Sequence, residues 1–128
     1  MKMTIKQAID ALAGVIALQK KQMDYETARG LLTWKRFLQS EMANATEFER
    51  QQMDLFGGVL QQNKSITFET EENRAQFLAA MEQMRQTEIE IDLKPIDLSK
   101  IGGGERLMLT GEVWALLEPI VLKTEETA

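Results

Sequence analysis

The stretch "ARGLLTWKRFLQSEMANATEFERQQMDLFG", residues 28–57, decides the fold. Leu31, Trp34, Leu38, Met42, Ala45, Phe48, Leu55 and Val59 recur at or near steps of three and four, with Gln52 filling one seam position, so the segment reads as one long amphipathic helix. Asp24 is placed to cap it, because a carboxylate there accepts from the unpaired amides of the first turn. Gly57-Gly58 ends it, since glycine costs about 1 kcal/mol inside a helix and suits a left-handed cap. The predicted helix therefore runs over residues 25–56. Its seam extends for about four heptads and needs another helix to cover it.

Working outward, Thr4 and Gln7 have the spacing of a capping box, and Ile5, Ile9, Leu12 and Ile16 form one apolar stripe, which predicts a helix over residues 4–19. Gly14 inside it is either a mild cost or a point of close packing. Beyond the long helix, "VLQQNKSITFE", residues 59–69, centres on Asn63-Lys64 and reads as a short hairpin or as one strand after a loop. Thr70 starts a third helix that carries Phe77, Leu78, Met81 and Met84 on one side and ends near Gln86. "EIEIDL", residues 88–93, alternates polar and apolar until Pro95 and predicts a half-buried strand. Near the end, Thr110 caps a short helix limited by Pro119, with Leu109 and Trp114 as a hydrophobic staple.

The expected fold class is α+β, mainly α, in a single domain spanning residues 1–128. A long antiparallel helical hairpin joins residues 25–56 to 71–86, with a small two-stranded element and short N- and C-terminal helices covering it. The strand at 88–93 is expected to pair near residues 66–69.

Composition sets the chemistry. The 128 residues are 44% hydrophobic and 27% charged, enough apolar material for one globular core. Neither cysteine nor histidine occurs. That excludes disulfides, thiolate nucleophiles, zinc-cysteine sites and the Ser-His-Asp and Cys-His arrangements. The run "AIDALAGVIAL", residues 8–18, is interrupted by Asp10, and no stretch reaches the roughly 18 apolar residues of a membrane span. A protein neither secreted nor membrane-embedded is expected.

The glycine run at 102–104 resembles a phosphate loop at first sight. Glu105 and Arg106 follow it, where a phosphate loop needs lysine and then Ser or Thr, and Leu107 stands where a dinucleotide loop needs glycine. It reads as a turn. The carboxylates Glu69, Glu71, Glu72, Glu88, Glu90 and Asp92 lack calcium-loop spacing and read as solvated faces. No catalytic residue, cofactor or metal is therefore assigned.

Charge is unevenly spread along the chain. Residues 1–36 hold seven Lys/Arg against three Asp/Glu, and residues 37–128 hold eight against seventeen. Arg29, Arg36 and Arg50 share one side of the long helix and, with Lys35, make the candidate interaction face. Trp34 and Phe37 lie between them, as stacking residues of single-strand binders do, but an aromatic at seam spacing reads as core. The overall acidity disfavours a dedicated nucleic-acid binder.

Across nearly the whole chain the order of pieces resembles small uncharacterised proteins encoded by tailed phages and prophages of bacteria. The resemblance is carried by "ARGLLTWKRFLQSEMANATEFERQQMDLFG", "ITFETEENRAQFLAAMEQMRQTEIEIDLKPIDLSKI" and "LTGEVWALLEPIV". Phe56-Gly57, Phe68, the acidic alternation at 88–92, Pro95-Ile96, Leu98-Ser99 and the Leu-Glu-Pro at 117–119 match its pattern. It implies a non-enzymatic phage or prophage protein that works through protein-protein contacts, as an assembly or accessory factor, and transfers no catalytic residues. The alternative is an accessory nucleic-acid-associated protein using the basic face of residues 20–50. The charge split further predicts a weak homo-oligomer that dissociates with salt.

Overall fold

The computed structural model describes residues 1–101 and 111–121. In chain order the elements are β1 (Lys2–Thr4), α1 (Ile5–Leu18), α2 (Tyr25–Phe56), β2 (Val59–Leu60), β3 (Ile66–Thr67), α3 (Glu71–Gln86), β4 (Glu88–Glu90) and α4 (Gly111–Leu117). Single 3-10 turns occupy Leu98–Lys100 and Glu118–Ile120. The class is α+β, mainly α, as expected.

The helices α1, α2 and α3 each begin where the sequence caps them. The Thr4 hydroxyl accepts the Gln7 N–H at 3.1 Å while the Gln7 side chain accepts the Thr4 N–H at 2.9 Å, which closes the capping box of α1. Asp24 accepts the Thr27 N–H at 2.8 Å at the start of α2, and Thr70 accepts the Asn73 N–H at 3.1 Å at the start of α3. At the other end of α2, Gly57 takes φ of +70°, and the Gly57 and Gly58 amides both return to the Met53 carbonyl. A side chain at position 57 would be strained there.

The strands correct the expected pairing. β4 pairs antiparallel with β1, in register Lys2↔Glu90, Met3↔Ile89 and Thr4↔Glu88, and not with residues 66–69. Those residues belong to a separate ribbon, β2 with β3, in register Val59↔Thr67 and Leu60↔Ile66. The reason is length: the 16 residues of α3 carry the chain about 24 Å between β3 and β4, too far for the two to meet.

The core gathers at one end, which we call the base. Ala8, Leu12, Val15 and Leu18 of α1 meet Leu31, Trp34 and Leu38 of α2, together with Ile91, Ile96, Ile101, Leu117 and Ile120. The tightest face of α1 runs through Ala8, Ala11 and Val15, and the expected stripe residue Ile16 is exposed. A Cβ on Gly14 would stand 2.7 Å from Leu117 Cγ, so this glycine is the point where α4 closes on α1. The Trp34 indole N–H donates to the Lys94 carbonyl at 2.8 Å, and the Ile96 N–H donates to the Ile120 carbonyl at 2.8 Å. These bonds fasten the 91–101 segment across the base.

Beyond Leu38, α2 projects with α3 as an antiparallel arm ending in the β2–β3 ribbon. Ala45, Phe77 and Met81 are buried, and Phe68 packs on Phe77 with ring centroids 5.1 Å apart. Residues 102–104, Leu109 and Thr110 lie outside the described residues, as does the Trp114 side chain, and with them the expected turn, cap and staple.

Candidate interaction surfaces

Steps of seven and fourteen residues return a helix close to the same direction, so Arg29, Arg36 and Arg50 line the side of α2 opposite Leu31, Trp34 and Leu38. All three are exposed and Lys35 is half-buried, about 100° around the helix from Arg36. Arg29 and Arg50 are about 32 Å apart along the axis, so the four do not form one compact patch.

The structure also separates them electrostatically. Arg50 bonds Glu47 through Nε and Nη2 and reaches Asp54 through Nη1 at 3.1 Å. These hydrogen bonds hold the Glu47 carboxyl below the usual carboxylate range and raise Arg50. Arg50 thus answers the acids on its own helix at steps of three and four. Among the described residues Arg29, Lys35 and Arg36 make no ion pair. With the exposed Lys20 and Lys21 they leave the base end of α2 basic.

Trp34 is 2% exposed and its only polar hydrogen is committed to Lys94, so it is not available for stacking on a base. Phe37 packs on it edge-to-face at 6.3 Å. The sequence expectation that Trp34 is core holds.

At the far end of the arm Leu55, Val59 and Leu60 are 69%, 57% and 61% exposed. Periodicity placed Leu55 and Val59 in the covered seam. No element packs over them among the described residues, and that depends on where α3 and the ribbon run, which spacing does not state. The expected acidic groups remain dispersed: among the described residues no three carboxylates gather in a way that holds a metal ion.

Depressions open on the base among the described residues. A broad groove of about 690 Å³ runs past Lys2, Gln7, Asp10, Pro95 and Glu118. A smaller cavity of about 160 Å³ lies between the first turns of α2 and the 94–100 segment, lined by Gly30, Leu31, Trp34, Pro95 and Ile96 together with the charged Glu26, Lys94, Asp97 and Lys100. Asp97 in its lining accepts both the Ser99 N–H and the Ser99 hydroxyl, which lowers its carboxyl pKa.

Among the described residues no helix is long and apolar enough to cross a membrane. Comparison with protein-family models, with curated proteins and with solved structures gave no match.

Proposed function

We propose that this chain is a non-enzymatic phage or prophage protein of the bacterial cytoplasm that acts through protein-protein contacts, as an assembly or accessory factor without cofactor or metal. The observation that carries the reading is the arm: a helical hairpin that presents Leu55, Val59 and Leu60 to solvent, far from the core that stabilises the chain. Large apolar side chains held out in this way are costly to leave in water, and exposed apolar surface is a common mark of a contact surface. Arg29, Lys35 and Arg36 at the other end of α2 supply a second, basic surface, to which Arg50 adds little net charge. Weak self-association that falls with salt follows from the two unlike ends.

The nucleic-acid alternative loses its stacking residue with Trp34 buried and much of its basic line with Arg50 paired. The test is affinity capture of the tagged chain from a phage-infected or induced host, followed by mass spectrometry, in parallel with a Leu55→Asp, Leu60→Asp variant. A phage protein recovered with the wild type and lost with the variant is expected. Retention on single-stranded DNA or RNA at low salt, with no protein partner, would overturn the reading in favour of the alternative.

A further inference from the structure

Gly30 is the observation from which we start. It sits in the second turn of the 32-residue α2, where glycine costs about 1 kcal/mol relative to alanine. Gly14, Gly57 and Gly58 each have a structural reason: Leu117, a left-handed φ, and the Phe68 ring, which a Cβ on Gly58 would meet at 2.8 Å. Gly30 has neither. Its backbone is helical and a Cβ there would meet nothing within 4 Å. What the missing side chain does is keep open the cavity of about 160 Å³ beside Leu31, Trp34, Pro95 and Ile96. A cavity of roughly 150 Å³ takes a benzene-sized group, so this one has room for a single aliphatic side chain.

The tip of the arm offers such side chains, and its charge is complementary to the cavity's surroundings. Residues 54–72 hold four Asp/Glu against one Lys, whereas residues 20–36 and 94–100 together hold seven Lys/Arg against three Asp/Glu. Asp54 and Glu71 are paired to arginines of their own helices, which leaves Glu69 and Glu72 unpaired beside the ribbon among the described residues. Lys94 and Lys100 line the cavity together with Glu26 and Asp97, so the positive excess lies in its surroundings, where Arg29 stands on the adjoining turn and makes no ion pair among the described residues. Within one chain the two cannot meet, because the helix between Gly30 and Phe56 is about 39 Å long.

Resting on the protein-contact reading above, we infer that the arm tip of one copy, led by Leu60, docks into the Gly30 cavity of a second copy. The contact joins unlike surfaces, so repetition gives head-to-tail chains or a closed ring.

Two variants used apart and together test this. Leu60→Asp removes the plug, and Gly30→Leu fills the socket. Sedimentation velocity of the purified wild type at 0.1 M salt is expected to show concentration-dependent association that weakens at least tenfold at 1 M. Each variant alone is expected to weaken it at least tenfold at 0.1 M. A mixture of the two pairs the intact tip of one with the intact socket of the other, and is expected to restore a one-to-one dimer but no longer species. Gly30→Ala controls for misfolding: it is expected to raise the melting temperature while weakening association. A monomeric wild type, association untouched by either variant, or a mixture that stays monomeric would overturn the inference. If the purified chain is monomeric yet the tip variant loses a captured phage protein, the contact reading stands and this inference alone fails.

Discussion

The two halves of α2 carry the same apolar period and end in different surroundings. In the base, Leu31, Trp34 and Leu38 are enclosed by α1, the 91–101 segment and the 117–120 region. In the arm the period continues, but α3 and the ribbon are the neighbours at hand, and Met42 and Leu55 face solvent. The arm compensates locally. Glu47–Arg50–Asp54, Glu71–Arg74 and Glu82–Arg85 form ion pairs at steps of three and four along its helices. Such exposed pairs add little each. An apolar stripe therefore states what a helix is able to bury, and the number of neighbours decides what it does bury.

The sharpest way to break this comparison is to truncate one large aromatic in each half. Trp34→Ala is expected to cost about 3–5 kcal/mol, because it empties the middle of the base and leaves the Lys94 carbonyl without its donor. Phe77→Ala is expected to cost less, and to raise hydrogen exchange in α3 while α1 stays protected. Urea unfolding and exchange read by mass spectrometry check both. Equal costs, or loss of protection in α1 with Phe77→Ala, would show base and arm to be one cooperative unit.

Next in size is Gly14→Val. The added carbons meet Leu117 in a packed site, and a loss of about 1–3 kcal/mol is expected from overpacking. A melting temperature unchanged by this substitution would mean that α4 does not close the base. Smaller again, Thr4→Ala is expected to cost about 1 kcal/mol, since it opens a capping box beside β1. Thr70→Ala, in the arm, removes a single cap bond and is expected to cost no more.

The smallest effect is acid sensitivity at the base. The carboxyl pKa values of Asp24 and Asp97 are lowered from 3.8, chiefly by their hydrogen bonds to Thr27 and Ser99. A folded-state value below the unfolded one contributes stability that is present above the ordinary aspartate range and is lost as pH falls through the lowered value. Asp24→Asn and Asp97→Asn are each expected to flatten the stability profile below about pH 4, where aspartate ordinarily titrates. Melting curves from neutral to acid pH measure it.

What the sequence made legible is what local chemistry determines. Thr4 with Gln7, Asp24, Thr70 and Gly57 each act within one turn, and every helix start or stop they marked is where the structure has it. The partner of β4 was hidden because Thr4 reads from the sequence as the cap of α1, and only pairing with 88–90 makes Lys2–Thr4 a strand. Gly14 left two readings open until Leu117 chose between them. At the surface, helical spacing aligned Arg29, Arg36 and Arg50 correctly. It did not reveal that Arg50 is held by its own neighbours, or that Leu55 and Val59 lie past the helix expected to cover them. Exposure at the arm tip is set by the path of the whole chain.

The β1–β4 pair also bears on the order in which the molecule assembles. Contacts within the arm join segments that follow one another along the chain. Thr4 finds Glu88 only after everything between them has been made, and on logarithmic loop-closure scaling that ring costs about 4 kcal/mol to close. The arm is thus the fast, local part of folding, and the joining of the chain's first residues to those near 90 is a late step. A ribosome still synthesising α3 holds a chain whose first strand has no partner yet.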